Sequence, residues 1–203
     1  MAGARFPSGR RLMIVVAATR LEARAARRAL RGSGVEVVRV GVGGGWVPAL
    51  AGGSPIVVTG LCGALLPMAP GTVVVPDEVS EPGGPVLRCD RALVGRLRAA
   101  AVARGWAVAG GRQLTAPAIV RGADRARWAA AGFETVDMEA ARVLSRGGEG
   151  AVVRVVLDTP GHELPPPAGL IDPRRWRSGA RIARSAPGFA RRASEVVAAI
   201  LGG

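Results

Sequence analysis

Apolar and polar positions along this chain fall into blocks. Residues 12–18 (LMIVVAA) form an uninterrupted apolar, β-branched run bounded by polar positions, the pattern of a strand buried on both faces. Residues 35–42 (VEVVRVGV), 55–59 (PIVVT) and 71–76 (GTVVVP) read as further strands, and 151–157 (AVVRVVL) as a last buried one. Between these runs lie stretches that read as helices. Residues 20–30 are rich in Ala and Arg and follow Thr19. Residues 91–104 form a second helix, 136–144 open a third, and 178–201 form a last one that Pro187-Gly188 is expected to interrupt. Gly43-Gly44-Gly45 reads as a flexible link, residues 60–64 as a loop running on from the third strand, and 163–169 (ELPPPAG) as another loop. Strands alternating with helices predict an α/β fold with a mostly parallel twisted sheet flanked by helices. The 203 residues suit a single domain. Residues 1–10 are expected to be flexible, and 170–203 to form a basic helical tail.

In sheets of this kind ligands bind beyond the carboxyl ends of the strands. That rule directs attention to residues 19–22, to 60–64 and to Asp158. Acidic residues number only 15 against 28 basic ones, so the placement of three of them carries information. Glu22 opens a helix, Glu139 sits among Val136, Met138, Ala140 and Ala141, and Asp158 ends an apolar strand. Arg154 lies four residues before Asp158, so strand alternation puts 154, 156 and 158 on one face. Taken singly, each has a plain structural reading. Asp158 also suits a turn cap, Arg154 an edge-strand charge, Glu22 a first-turn residue favoured by the helix dipole, and Gly60 and Gly63 close packing.

Composition narrows the classes. The net charge is +13, and every basic residue other than His162 is Arg. That favours an anionic partner, but a compositional bias toward Arg, Ala, Gly, Pro and Val explains it as well. Aromatics make up 3% of the chain, with no Tyr, so the stacking platforms of single-strand binders are largely missing. No recognition-helix or zinc-finger pattern appears, and nucleic acid is not an expected partner. No apolar run approaches the roughly 20 residues of a membrane-spanning helix, and residues 1–10 lack the apolar centre of a secretory signal. A cytoplasmic setting is expected, in keeping with two separated cysteines, Cys62 and Cys89. With one histidine, a Cys/His zinc site is not expected.

The order of the segments resembles the nucleoside phosphorylase/nucleosidase superfamily. Ala17-Ala18-Thr19-Arg20-Leu21-Glu22 is similar to its first strand-to-loop segment, Gly60-Leu61-Cys62-Gly63-Ala64 to its Gly-x-(Ser/Ala/Cys)-Gly-(Gly/Ala) segment, Val136-Asp137-Met138-Glu139 to its V-(E/D)-M-E motif, and Arg154-Val155-Val156-Leu157-Asp158 to its R-x-x-(S)-D strand end. Within that group the Val136–Ala140 motif, the 154–158 segment and Leu164-Pro165-Pro166-Pro167-Ala168 most resemble the hopanoid-associated phosphorylases. The resemblance implies a single-domain, three-layer phosphorylase/hydrolase-like fold, a homo-oligomer and no cofactor. It implies an enzyme that cleaves the N-glycosidic bond of a 5′-substituted adenosine, such as adenosylhopane, and releases adenine. A methylthioadenosine/S-adenosylhomocysteine nucleosidase is the alternative, and a basic membrane- or nucleic-acid-binding protein that retains the fold is another.

The resemblance also implies roles. Asp158 is the general acid toward the purine, its carboxyl held protonated by burial. Glu22 and Arg154 orient the nucleophile. Glu139 holds the ribose hydroxyls, with Met138 against the sugar and Asp137 beside it. Gly60, Leu61, Cys62 and Gly63 line the nucleophile side, and Ala118, Ile119 and Val120 meet the base. Phosphate is a candidate co-substrate, but Val58 and Leu61 stand where hexameric bacterial phosphorylases place Arg and Ser on it, and only Arg20, Arg39 or Arg154 are at hand to compensate. Leu157 replaces the Ser common before the acid. The tail, with Arg174, Arg175, Arg177, Arg181, Arg184, Arg191 and Arg192 interleaved with Trp176, Ile182 and Phe189, is a candidate contact for an anionic membrane or a solvated helix face covering the sheet.

Overall fold

A computed structural model describes residues 13–44, 54–147, 149–163 and 173–201. Residues 1–12, Gly45, Leu164 to Ala168, and the side chains of Arg174, Arg175, Trp176 and Arg177 lie outside that description.

The β-branched runs form the centre of the sheet. Strand β1 (Ile14–Ala17) pairs in parallel with β2 (Glu36–Arg39) on one side and with the first half of β3 (Ile56–Ala64) on the other. The other edge of β3 carries β10 (Gly150–Asp158), also parallel. Beyond β10 come the antiparallel β4 (Val73–Val74) and then β7 (Val108–Ala109). A second branch leaves the far end of β3: β9 (Thr135–Asp137) pairs with it antiparallel, followed by β8 (Arg112–Thr115), β5 (Glu78–Ser80) and β6 (Leu87–Arg88). Six of the nine strand pairs are parallel. The mostly parallel sheet expected from the sequence is therefore present.

Strand β3 exchanges partners. Its residues 56–59 are paired with β1, and Gly63 and Ala64 with β9. Between them, on that edge, the backbone of residues 60–62 has no strand beside it. This gap is the crevice that the carboxyl-end rule anticipates.

Helices cover the sheet. α1 (Arg20–Ala29) starts with a capping box in which Thr19 Oγ1 accepts from Glu22 N–H and Glu22 accepts from Thr19 N–H. It packs against α5 (Pro173–Ala199), and both contact β3. α2 (Arg91–Val102) is capped by Asp90, whose carboxylate accepts from Leu93 N–H at 2.7 Å. α3 (Ala123–Ala130) and α4 (Ala140–Gly147) flank β9 in sequence. The main core joins Val15, Val16, Ile56, Val57, Val152 and Val153 of the strands to Leu97, Val143, Val196 and Val197 of the helices, all buried.

Three sequence expectations are corrected. Residues 60–64 are strand rather than loop, because pairing with β10 continues through them. Val136 and Asp137 are strand, and the helix starts only at Ala140. α5 runs through Pro187 without a break. Of the apolar residues interleaved in the tail, Ile182 is buried and Phe189 is packed against the main core. Ile182 and Phe189 thus fit a helix face covering the sheet, and the exposed positions include Arg181, Arg184 and Arg191. No described helix is long and apolar enough to cross a membrane.

Candidate active site

The gap beside β3 opens into a cavity of about 230 Å³ lined by the ends of β1, β3, β9 and β10 and by residues 118–120. Leu61 N–H, left without a strand partner, donates to Glu22 Oε1 at 2.8 Å. The second oxygen, Oε2, accepts from Thr19 N–H at 2.8 Å and from Thr19 Oγ1–H at 2.7 Å. Glu22 therefore both completes the capping box of α1 and plugs the gap, and it is 5% exposed.

Gly60 is where Glu22 and Arg154 meet. A Cβ there would overlap Glu22 Oε1 and lie 2.6 Å from Arg154 Nη1, and φ is +152°. Arg154 is fully buried on β10. It is ion-paired with Asp137, lies 3.5 Å from Glu139 Oε2, and donates from Nη1 to Thr59 O at 3.4 Å. Burial opposes the charge of this guanidinium, but Asp137, Glu139 and Glu22 together outweigh it and hold the group firmly protonated.

Asp137 ends β9, three residues before the first residue of α4. Its carboxylate accepts from Thr115 Oγ1–H at 2.7 Å, from Ala140 N–H at 3.0 Å and from Arg154. These bonds leave it little capacity for a ligand, although it borders the cavity. Glu139, two residues on, projects into the cavity wall. It accepts from Gly43 N–H at 2.9 Å, and Gly43 presents that N–H from a φ of +78° that only glycine adopts readily. Burial pushes the Glu139 carboxyl above the usual carboxylate range, against the pull of Arg154. Met138 lies between them and also lines the cavity.

The opposite wall holds Asp158, 3% exposed. The alternation expected to put it on the face of Arg154 fails. Arg154 is beside Gly60, and Asp158 is beside Gly63 across a bulge after Val156. Four steps on β10 match three on β3, so the two side chains fall out of phase. It forms an ion pair with Arg125 of α3, which is 2% exposed. Arg125 also donates to Ala64 O at 2.6 Å and to Val120 O at 3.1 Å, and it lies 3.4 Å from Glu163 Oε1. Sequence reasoning missed Arg125, because one arginine among 28 basic residues in a weakly patterned segment carries no signal. Being the buried position on α3 is its mark, and only the fold reveals that.

The structure thus gathers Glu22, Leu61, Cys62, Gly63, Ile119, Val120, Asp137, Met138, Glu139 and Asp158 around one cavity. Gly60 and Arg154 lie behind its wall, and Arg20 and Arg39 are exposed outside the lining. Burial raises the thiol of Cys62, and pushes that of Cys89 up to about 12, so both stay protonated and unreactive. Among the described residues, no group of three His, Cys, Asp or Glu is placed to hold a metal ion.

No family model matches the chain, and no curated protein matches its sequence. Solved structures do. A mutant of the Helicobacter pylori nucleosidase MTAN with 5′-methylthioadenosine in the active site superposes with a TM-score of 0.72 at 12% identity, over 95% of this chain and 98% of that one. The chain has the MTAN fold. The same architecture is found in Helicobacter pylori futalosine hydrolase, with a TM-score of 0.71 at 12% identity over 95% and 98% of the two chains. It recurs in the Campylobacter jejuni 5′-methylthioadenosine/S-adenosylhomocysteine nucleosidase, with a TM-score of 0.71 at 12% identity over 93% and 97%. This is the phosphorylase/nucleosidase fold class that the sequence resemblance implied.

Proposed function

We propose that the chain is an enzyme that hydrolyses the N-glycosidic bond of a 5′-substituted adenosine and releases adenine. The observation that carries this reading is the division of one apolar cavity into two polar ends. Glu22 and Glu139 stand at one, and Asp158 with Arg125 at the other. A sugar turning into an oxocarbenium ion calls for carboxylates beside it, and a departing purine calls for polar groups at its edge. Glu139 suits the ribose hydroxyls, where its attraction grows as the sugar becomes cationic. Glu22 suits a water, positioned with Leu61 beside C1′. The C1′–N9 electron pair leaves with the purine, the water oxygen bonds to C1′, and one of its protons ends on the purine.

Water fits this end better than phosphate. Glu22, Glu139 and Asp137 surround a single buried guanidinium, and a phosphate dianion would enter against two uncompensated carboxylates. The nucleosidases and hydrolase that share the fold are consistent with that choice. Val42 and Ile119, at the cavity, are 63% and 46% exposed. Such an apolar rim suits an apolar 5′ group, and adenosylhopane is the substrate implied by the sequence resemblance. The enclosed methylthio group of 5′-methylthioadenosine is the competing choice. A homo-oligomer, and contact of the basic tail with an anionic membrane, are further parts of the proposal. Light scattering tests the first, and salt-sensitive liposome binding that involves Arg181, Arg184 and Arg191 tests the second.

The deciding experiment incubates the protein with adenosines bearing methylthio, homocysteinyl or long apolar 5′ groups, with and without phosphate. Adenine release unchanged by phosphate, fastest on the apolar substrates, is expected. No adenine from any of them refutes the reading, and release that requires phosphate refutes hydrolysis.

A further inference from the structure

Residues 41–44 read Gly-Val-Gly-Gly, and Gly41, Gly43 and Gly44 hold φ of +81°, +78° and +62°. Such a stretch has little conformational preference of its own and loses much backbone freedom on ordering. Its shape in the fold is therefore imposed by what it bonds to. Within the 3₁₀ turn Val42–Gly44, Gly43 is held on both sides by the start of α4. Its N–H donates to Glu139 Oε1 at 2.9 Å, and its carbonyl accepts from Arg142 Nη1 at 2.5 Å. Arg142 is fixed in turn by Glu81, the residue after β5: its Nε donates to Glu81 Oε1 at 2.6 Å. Glu139 O accepts from Val143 N–H at 3.0 Å, so the first helical turn of α4 carries Glu139 and Arg142 together.

Arg142 does not line the cavity. Two of its nitrogens reach two segments at once, which suits the rigid fork of a guanidinium and not the point charge of an ammonium. A chain of bonds thus runs from Glu81 through Arg142 and Gly43 to Glu139. The charged groups that face Glu139 from the elements around it are Arg154 of β10, Asp137 of β9 and Glu22 of α1. Arg154 is shared among these carboxylates, and its Nη2 is 3.5 Å from Glu139 Oε2. Gly43 N–H is therefore the closer donor to Glu139. Resting on the ribose-binding role given to Glu139 above, we propose that Arg142, braced by Glu81, is a positioning residue for that carboxylate. It locks Gly43 so that the Gly43 N–H stays on Glu139 Oε1 and fixes the carboxylate's orientation at the ribose end of the cavity. The same N–H favours the charged form of the carboxyl, which burial disfavours.

The test follows the full chain by NMR without substrate, isotope-labelled in its amides and glutamate carboxyls. Arg142→Met should speed exchange of the Gly43 amide by about 10–100-fold, the worth of one charge-assisted bond, while the amides of β1 and β3 keep their protection. The Glu139 carboxyl, assigned from its loss in Glu139→Gln, should titrate at higher pH than in wild type. Arg142→Lys keeps the charge but not the fork, so both changes should persist in it. Were Arg142 only a nearby positive charge, Arg142→Lys would match wild type. Were it only structural, Arg142→Met would melt earlier with the Glu139 titration unmoved. Either result overturns the proposal. In turnover, kcat for adenine release should fall by about 10–100-fold, with KM changed less. Lost turnover with wild-type exchange at Gly43 overturns the positioning role and leaves the hydrolase standing. Wild type that releases no adenine refutes the hydrolase, while amide exchange and titration still decide whether Arg142 positions Glu139. Should Arg142→Met fail to fold, Glu81→Ala replaces it, at a side chain that is 41% exposed. Faster Gly43 exchange with a raised Glu139 titration then upholds the proposal, and wild-type behaviour overturns it.

Discussion

Replacing Gly60 with Ala tests whether Glu22 and Arg154 act as one unit behind the cavity. The new methyl would lie 2.6 Å from Arg154 Nη1 and 2.8 Å from Glu22 Cδ, where ordinary carbon contacts need about 3.5–4.0 Å. One of the two side chains must retreat by about 1 Å, and neither has room. Arg154 is fully buried, and Glu22 is held by three donors from Thr19 and Leu61. Overpacking of this kind costs about 1–3 kcal/mol. Loss of the charge-assisted bond from Leu61 N–H adds about 1.5–3 kcal/mol. The unfolding free energy from urea titration should therefore fall by roughly 3–5 kcal/mol. In whatever fraction stays folded, displacing Glu22 by about 1 Å should cost on the order of 10²-fold in kcat. A variant within about 0.5 kcal/mol of wild type, with adenine release within about twofold, would refute the coupling of these three residues.

Glu139→Gln separates stability from activity. The native carboxyl is raised, so the native state binds its proton more tightly than the unfolded state does. Wild-type stability should then fall as pH climbs from the unfolded value near 4.5 through the raised native value, and stay reduced above it. Glutamine has no such dependence. Thermal melts should show the variant gaining on wild type at pH 7 but not at pH 3, while kcat/KM drops by about 10²-fold because the ribose loses its carboxylate. Equal melting differences at both pH values would refute the burial cost. Asp137→Asn removes the main partner of fully buried Arg154. Denaturant titration should show a loss of about 3–5 kcal/mol, and a loss under 1 kcal/mol would mean that Glu139 and Glu22 suffice. Thr19→Val deletes the cap of α1 and one of the donors that hold Glu22. It should cost about 1 kcal/mol and lower kcat more than it raises KM, as read from initial rates of adenine release.

What the chain discloses depends on how much of each element's partner is local. β1, β3 and β10 were readable because each is buried on both faces and so is apolar throughout. β5, β6, β7 and β8 were not, because they are two to four residues long and depend on distant strands for their existence. Gly60 and Gly63 looked like loop residues because glycine usually marks a turn. Here they are strand positions whose missing side chains make room for Glu22 with Arg154, and for Asp158 with Arg125. The carboxylates of the candidate site were legible as a set through their spacing and the family resemblance. Their partners were not. The bulge after Val156 changes which face Asp158 occupies, and nothing in the Arg154–Asp158 sequence announces it. Pro187 misled because a proline within a helix forfeits one backbone bond, yet α5 continues through it and packs along β3, β10, α1 and α2.

The change of partners along β3 bears on how such a protein can diversify. The wall that carries Asp137, Met138 and Glu139 is joined to the central strand by two register pairs only, Gly63 with Val136 and Ala64 with Thr135. The wall that carries Glu22 hangs from a different stretch of the same strand. One wall can accumulate substitutions that reshape what enters the crevice without re-registering the other. A single strand thus serves as a common rail for two modules, and novelty in the ligand can arise in one of them while the wall that holds Glu22 is inherited intact.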